Sequence, residues 1–300
     1  ADISYLGHEG FPPLEINGKE LNRAELKIEA DISSQFVSAL LMIAPGVRGG
    51  VELEMSGPPV SLPYIDMTIG LMERCGIRVE RKDKKIIVAE QKVMVKDFLL
   101  ERDWSSAAFW YETAALSEHA DLFLEGLHKE SLQGDSILPD FYQNFGIFTD
   151  FLPNGIRIKK NGDSFKYNLR FDFTDHPDLA PALIVTSAAL GAGGVFGGLK
   201  TLRIKESDRV FALMNELGKM GLTTLAEMKN NNEEVIHLPV TSLLKNQDYL
   251  VETYHDHRIA MAFAPLALRF GKIKIENPEV VNKSYPGFWQ DLSSLGFRIS

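Results

Sequence analysis

The sequence predicts an α/β fold made of repeated units whose most apolar helices are buried, and two observations lead to this prediction. Four helix-length segments that are apolar nearly all round begin near Ser34, Ser106, Asp178 and Asp256, at intervals of 72, 72 and 78 residues. A strand and then a second, amphipathic helix follow each of them. Since a helix that is apolar on all sides must be buried, we expect these helices to lie inside and the strands around them.

The composition excludes several classes of protein. The chain has 300 residues, enough for two ordinary domains, with 45% hydrophobic and 24% charged residues. No run approaches the roughly 18 apolar residues of a membrane span, and no Cys/His set has zinc spacing. The single cysteine, Cys75, favours a reducing compartment such as the cytoplasm. A net charge of −9 makes a nucleic-acid partner unexpected, so a local gathering of Lys and Arg is informative.

Each copy of the repeat is predicted to run helix, strand, helix, strand, strand in about 75 residues. The first strand of each copy leads to a serine, and these serines are Ser61, Ser131, Ser207 and Ser284. The second helix stops at a glycine suited to a left-handed helix end, namely Gly76, Gly146, Gly221 and Gly296. Hairpin turns are predicted near Asp83, at Asn154-Gly155 and at Asn230 to Asn232.

The beginning of the chain does not fit a complete unit. The segment D-I-S-Y-L from Asp2 to Leu6 is similar to the strands that follow Gly76 and Gly146, yet no helix precedes it. We therefore expect Ala1 to lie inside a repeat unit, with an N-terminal part missing.

A cluster of charges lies between residues 201 and 209, in the segment T-L-R-I-K-E-S-D-R. We expect three cations (Arg203, Lys205 and Arg209) to pack around two carboxylates (Glu206 and Asp208). A helix with one apolar face follows, and Ser207 or Asp208 can cap its first turn, where a helix favours an anion. The segment suits a small anionic substrate. The alternative is a solvated, capped helix start.

The repeat places two opposite charges at equivalent positions. When the copies are aligned at their serines, Glu206 corresponds to Lys283. Each lies just before the second helix of its copy, so neighbouring copies can bring an acid and a base to one cleft. The alternative is that both are solvated loop charges.

Polar residues at the starts of the apolar helices have two possible roles. Asp178 is predicted as an N-cap or as a carboxylate that accepts substrate hydroxyls. Ser33 and Ser34 can cap a helix or bind a phosphate. Arg258 opposes the dipole of its helix, so it needs an anionic substrate or a carboxylate partner, for which Asp256 is the candidate.

Six segments in order resemble the family of 5-enolpyruvylshikimate 3-phosphate synthases. They are S-S-Q-F at Ser33, V-S-L-P-Y-I-D at Val60, H-P-D at His176, R-I-K-E-S-D-R at Arg203, Y-H-D-H-R-I-A-M at Tyr254 and N-K-S-Y-P at Asn282. The resemblance covers nearly the whole chain. It implies the enolpyruvyl transferase fold, an inside-out α/β barrel of six βαβαββ units in two domains. Four units are expected here, with residues 1–101 as a remnant of the N-terminal domain and 102–300 as the C-terminal domain.

The resemblance also implies a reaction, in which the 5-hydroxyl of shikimate 3-phosphate attacks carbon 2 of phosphoenolpyruvate and phosphate is released. No metal or organic cofactor is expected, and the full-length enzyme is expected to be a monomer. The resemblance assigns roles to three sets of residues. The shikimate phosphate is assigned to Ser33, Ser34, Gln35 and Ser61, with Tyr64 close by. The shikimate hydroxyls are assigned to Asp178 and Lys205, and phosphoenolpyruvate to Gln35, Arg209, Arg258 and Lys283. The acid and base are expected among Asp178, Glu206 and Lys283.

Two departures from the family pattern bear on activity. Thr201 stands where the family often has Asn, and its hydroxyl can still contact substrate over a shorter reach. No segment matches the family's K-S-x-S-x-x-R or N-A-G-T-x-x-R patterns, so we expect little turnover from this chain alone. Three alternatives remain: an enolpyruvyl transferase acting on UDP-N-acetylglucosamine, a non-catalytic fragment that binds substrate in a partial cleft, and a purely structural protein.

Overall fold

The structure is a computed structural model that describes residues 2–29, 33–57, 60–94, 97, 99–162, 165–228, 234–244 and 248–300. It divides into two units, Ala1–Phe98 and Leu99–Ser300. The assignment of residues 1–101 and 102–300 to two domains of a longer protein stays a prediction.

The first unit contains a hairpin, a four-stranded sheet and two helices. Its elements in chain order are β1 (Asp2–Tyr5), β2 (Leu14–Asn17), β3 (Asn22–Glu29), α1 (Ser34–Ile43), β4 (Arg48–Ser56), α2 (Leu62–Arg74), β5 (Glu80–Lys82) and β6 (Lys85–Val88). β1 and β2 pair antiparallel. The sheet has the order β3-β4-β6-β5, with β3 and β4 parallel and the other pairs antiparallel.

The second unit repeats this arrangement around helices that are more completely buried. Its first elements are α3 (Trp104–Leu116), β7 (His119–Glu125), α4 (Leu138–Tyr142), β8 (Ile147–Leu152), β9 (Gly155–Asn161), β10 (Leu169–Asp172), α5 (Ala180–Leu190) and β11 (Gly194–Gly197). Its remaining elements are α6 (Arg209–Lys219), β12 (Leu225–Met228), β13 (Glu234–Leu238), β14 (Leu250–Val251), α7 (His257–Phe263), α8 (Ala267–Phe270), β15 (Lys274–Ile275) and α9 (Phe288–Ser294).

The sheets confirm the sequence repeat at the level of strand order. One sheet of the second unit has the order β10-β11-β13-β12, with β10 and β11 parallel, which reproduces the order and directions of the first unit's sheet. A second sheet has the order β7-β9-β8, which matches the last three strands of that pattern among the described residues, and β14 pairs parallel with β15. Each parallel pair flanks an apolar helix, so the repeating element is βαβαββ.

The prediction of all-round burial is confirmed in the second unit and wrong in the first. Nearly every residue of α3, α5 and α7 is buried, and these three helices pack on one another. By contrast, α1 buries one face, against α2, and leaves Phe36, Met42 and Ile43 exposed. An apolar pattern shows that a helix can be buried on all sides, but neighbouring helices must supply the cover.

Glycine ends the second helix of each copy, as the sequence predicts. The four residues Gly76, Gly146, Gly221 and Gly296 all have a positive φ, between 74° and 98°. Close packing demands glycine at Gly194 in β11, where a Cβ atom would lie 2.4 Å from the carbonyl oxygen of Leu169 on the adjacent strand. The Gly-rich run at residues 191–198 therefore serves turns and close strand packing.

Helix starts agree with the sequence in part. Ser33 caps α1 by accepting from the N–H of Gln35, and Asp208 caps α6 by accepting from that of Phe211. The helix predicted to begin near Ser106 begins at Trp104, and the carboxylate of Asp103 caps it. A carboxylate accepts from two backbone N–H groups at once, here those of Ser105 and Ser106.

The hairpin turns at Asp83 and at Asn154-Gly155 are confirmed by the pairs β5-β6 and β8-β9. The predicted turn at Asn230 to Asn232 lies outside the described residues. Across the described part of the chain, no helix combines the length and apolar character that spanning a membrane requires.

Candidate active site

Arg209, the first residue of α6, is the centre of a charge cluster in the second unit. Its side chain is 1% exposed although it carries a full charge. Its Nε donates to Asp256 at 2.8 Å, one terminal nitrogen to Asp178 at 3.0 Å, and the other to Glu206 at 2.7 Å. A guanidinium group presents its donors in a fixed plane, so Arg209 fixes the relative positions of three carboxylates from three segments.

Asp178 faces three cations rather than a helix end. Its carboxylate lies 3.1 Å from Arg258, 3.0 Å from Arg209 and 3.7 Å from the Nζ atom of Lys205. The prediction that Asp178 caps its helix is wrong. A 3-10 turn, Pro177–Leu179, precedes α5, so the cap position falls on Leu179, which makes no side-chain cap.

Asp256 and Arg258 lie at the start of α7, but they do not pair through their side chains as the sequence suggested. The guanidinium of Arg258 contacts the carboxylate and the backbone oxygen of Asp178. Asp256 accepts from the backbone N–H of Arg258 at 2.9 Å and uses its other oxygen for Arg209 and Ser207. Asp256 is fully buried and is the most enclosed partner of Arg209. The sequence did not predict this contact. The sequence signal that could have indicated it is an acidic residue at the start of a helix that is otherwise apolar.

Glu206 and Lys283 form a direct ion pair, so the structure brings together the two charges that the repeat placed at equivalent positions. Lys283 ends a 3-10 segment, Pro278–Lys283, and Glu206 lies just before α6. Glu206 uses its second oxygen for Arg209. Lys283 is 55% exposed and Glu206 is 25% exposed, so both groups remain accessible.

The cluster has a positive balance in an acidic chain. Within the described residues it joins four cations (Lys205, Arg209, Arg258 and Lys283) to three carboxylates (Asp178, Glu206 and Asp256). Among these seven side chains the cations outnumber the carboxylates by one.

Both accessible carboxylates are held in the charged form. Burial alone would raise the pKa of Asp178, but Arg258, Lys205 and Arg209 together hold it well below its usual range. Burial likewise raises the pKa of Glu206, but the hydrogen bond from Lys283 and the charge of Arg209 lower it to about 2. His257 lies beside them, and burial together with the charge of Arg258 lowers its pKa to about 4, so its imidazole is neutral at pH 7.

The charged segment 201–209 divides into two parts. Lys205, Glu206 and Arg209 join the cluster, whereas Arg203 pairs with Asp208 and with Glu234 of β13. Arg203 therefore packs on Asp208 as expected, but its second partner is Glu234 rather than Glu206. Thr201 is buried in the 3-10 turn Lys200–Ile204.

The remaining candidate residues lie in the first unit, at the starts of its two helices. Ser33 and Ser34 begin α1, where Ser34 is buried and Gln35 is exposed. Ser61 precedes α2 with a φ of 55°, a left-handed conformation that is uncommon for a residue other than glycine. Its backbone oxygen accepts from the N–H of Tyr64 at 3.1 Å. No group of three or more His, Cys, Asp or Glu suited to a metal ion occurs among the described residues.

Comparison with known proteins identifies the family of this chain. The family model of EPSP synthase (3-phosphoshikimate 1-carboxyvinyltransferase) matches residues 1–292. The chain belongs to this family. The 3-phosphoshikimate 1-carboxyvinyltransferase of Bacteroides fragilis is 42% identical over 300 residues, which are 100% of this chain and 72% of that protein.

Solved structures lead to the same family and fold. An EPSP synthase from Acinetobacter baumannii superimposes with a TM-score of 0.75 and 25% identity, over 100% of this chain and 68% of that one. The enolpyruvyl transferase NikO from Streptomyces tendae, at a TM-score of 0.66 and 13% identity over 94% of this chain and 66% of its own, shows the fold alone. The inside-out α/β fold and the family that the sequence predicted are confirmed.

Proposed function

We propose that this EPSP synthase family chain binds phosphoenolpyruvate at the charge cluster, as part of an enzyme that transfers the enolpyruvyl group to the 5-hydroxyl of shikimate 3-phosphate. The observation that carries the proposal is the convergence of Lys205, Arg209, Arg258 and Lys283 on Asp178 and Glu206. The curated relatives are named for this reaction. They do not favour a UDP-N-acetylglucosamine transferase or a non-catalytic fragment.

The charges of the substrates explain the cluster. Phosphoenolpyruvate carries a phosphate and a carboxylate, and guanidinium groups bind both with paired hydrogen bonds. Lys283, which is 55% exposed, and Arg258, which is 12% exposed, present cations at this cluster, and the family resemblance adds the amide of Gln35. Arg209 is enclosed by carboxylates, so it binds phosphoenolpyruvate only by exchanging one of them. Glu206 is the partner that it releases, because Lys283 already shares that carboxylate.

The second substrate uses the remaining candidates. Asp178 and Lys205 hold the hydroxyls of shikimate 3-phosphate, with Thr201 close to that ring. Its phosphate binds at the two helix starts of the first unit, where backbone N–H groups favour an anion. The binding residues there are Ser33, Ser34, Gln35, Ser61 and Tyr64.

The candidates for proton transfer are Asp178, Glu206 and Lys283, and their environments suggest which role each of them has. Asp178 is held ionised by three cations, which makes it a weak base and suits it to orient the hydroxyls. Glu206 becomes a stronger base once the contact from Lys283 breaks, because that hydrogen bond helps to lower its pKa. Glu206 therefore takes the proton of the 5-hydroxyl, while the Lys283 ammonium supplies one to carbon 3.

The transfer takes place by an addition step followed by an elimination step. In the addition step, the 5-oxygen bonds to carbon 2, the double bond between carbons 2 and 3 is lost, and carbon 3 gains the proton from Lys283. In the elimination step, the bond from carbon 2 to the phosphate oxygen breaks, and protonated Glu206 gives the proton that it took from the 5-hydroxyl to that oxygen. The Lys283 amine then removes a proton from carbon 3, so the double bond forms again and inorganic phosphate leaves.

Titration calorimetry with phosphoenolpyruvate tests the proposal. We expect tighter binding in the presence of shikimate 3-phosphate, because Asp178 and Lys205, assigned to that substrate, lie next to Arg258, assigned to phosphoenolpyruvate. Arg258→Gln should weaken binding about tenfold or more, since a hydrogen bond to a charged group contributes roughly 1.5–3 kcal/mol. Arg298→Gln is the matched control, an exposed arginine near the C-terminus. Equal affinity in the two variants would contradict the proposal.

We also propose that the reaction takes place in the cytoplasm by a monomer without nucleic-acid partners. The free thiol of Cys75 and the net charge of −9 support this assignment.

A further inference from the structure

The turn before α7 has an unusual backbone. Tyr254 and His255 have φ values of 53° and 56°, in the left-handed region that residues with side chains rarely adopt. Two such residues in succession persist only where the surrounding structure holds them. The turn leads directly into Asp256, the partner of Arg209, and Arg258, the partner of Asp178. Its conformation therefore decides where two members of the charge cluster lie.

Helix α6 holds this turn at two points. At its start, the guanidinium of Arg209 binds Asp256. Two turns later, the carboxylate of Glu216 accepts the hydroxyl of Tyr254 at 2.7 Å and the backbone N–H of Glu252 at 3.3 Å. Arg209 and Glu216 are seven residues apart, so they share a helix face. Both side chains are buried.

Several further contacts stabilise the contact between Glu216 and Tyr254. Lys219 donates to both oxygens of Glu216, at 2.7 and 2.9 Å, which compensates the buried charge. The hydroxyl of Tyr254 accepts from Asn215 at 2.6 Å, and its ring meets Phe211 edge-on at 6.0 Å. Burial and the neighbouring Glu216 raise the pKa of Tyr254, so its hydroxyl stays a donor.

We propose that Tyr254 and Glu216 are positioning residues for the enolpyruvyl transfer site. Their hydrogen bond holds the left-handed turn in register with α6, which aligns Asp256 with Arg209 and Arg258 with Asp178. This inference rests on the proposed function only for the effect on ligand affinity.

The test compares Tyr254→Phe with Tyr249→Phe in the full chain. Tyr249 donates its hydroxyl to the backbone oxygen of Leu244 at 2.7 Å in the same unit, so its variant loses one tyrosine hydrogen bond at another place. We expect Tyr254→Phe to weaken phosphoenolpyruvate binding about tenfold, the scale of one hydrogen bond to a charged group. It should also speed hydrogen exchange of the Arg258 N–H, which Asp256 accepts. Tyr249→Phe should change neither readout.

Variants of Glu216 provide a rescue test and a double-mutant cycle. Glu216→Gln keeps an oxygen for the Tyr254 hydroxyl and should bind phosphoenolpyruvate nearly as the parent does, whereas Glu216→Leu should match Tyr254→Phe. Combining Glu216→Leu with Tyr254→Phe should add little to either alone. Additive effects, or equal behaviour of the two tyrosine variants, would overturn the proposal. If the parent chain binds no phosphoenolpyruvate, the proposed function fails, and the Arg258 exchange rate still decides whether the positioning contact exists.

Discussion

At the scale of single residues, Arg209 shows how one side chain organises the candidate site. It is buried beside three carboxylates that lie 3, 31 and 47 residues away in the chain. A buried charge is tolerated only when it is paired and hydrogen-bonded. Asp256 provides the most enclosed of these contacts, because neither partner is exposed to water. The position of Arg209 therefore depends on Asp256 more than on any group that a substrate could replace.

Asp256→Asn should destabilise the second unit. Breaking an isolated buried ion pair costs about 3–5 kcal/mol, and we expect a smaller loss here because Asp178 and Glu206 still compensate Arg209. The asparagine keeps an oxygen for the cap of α7, so the effect isolates the charge. Urea unfolding followed by circular dichroism measures it.

Asp121→Asn is the control for this variant, because Asp121 makes a two-point ion pair with Arg157 on an exposed sheet surface. Exposed pairs contribute little to stability, so its midpoint should move far less. Similar midpoints for the two variants would contradict the role assigned to Asp256.

At the scale of elements, α3 combines complete burial with one carboxyl group that has no partner. Glu112 is fully buried in the middle of this helix, and neither of its oxygens has a hydrogen-bond partner among the described residues. Burial raises its pKa well above the usual range, so the group is protonated in the folded protein.

This carboxyl group makes stability depend on pH in a definite direction. An unfolded glutamate has a pKa of about 4.3, below the raised folded value. Between these values the folded state holds the extra proton, so the free energy of unfolding falls as pH rises. Glu112→Gln should remove that slope in unfolding curves measured from pH 5 to 8. Glu118→Gln, at an exposed position beyond the same helix, should leave it in place, and a slope that survives in Glu112→Gln would disprove the assignment.

The parallel strand pair β10-β11 requires a glycine at position 194. Gly194→Ala would place a Cβ atom 2.4 Å from the oxygen of Leu169, at a φ of 150°. We expect it to separate β10 from β11 and to lower the melting temperature strongly. In Gly218→Ala, on α6, the new Cβ meets no atom within 4 Å, so this change should stabilise the chain by about 0.5–1 kcal/mol. Thermal melts followed by circular dichroism compare the two, and equal destabilisation would show that the packing argument is wrong.

At the scale of the whole molecule, the chain spans 72% of its Bacteroides fragilis relative. It contains the cationic and carboxylate residues of the second unit but no match to two basic patterns of the family. We therefore expect phosphate release from phosphoenolpyruvate and shikimate 3-phosphate by the isolated 300 residues to stay near background. A coupled phosphate assay measures it, with the Bacteroides fragilis enzyme as the positive control. Robust turnover would show that the 300 residues suffice.

The sequence by itself determined the repeat, the glycines that end its helices, the family and the positions of the charged residues. These features follow from local rules, because periodic burial and left-handed helix ends are set by neighbours along the chain. Only the tertiary structure decided which charges meet. In the structure Arg258 pairs with Asp178, and Asp256 pairs with Arg209. Arg203 pairs with Glu234 outside the cluster, and one face of α1 is exposed. The physical reason is that ion pairs and helix cover depend on the directions of side chains from segments far apart in sequence, which periodicity does not encode.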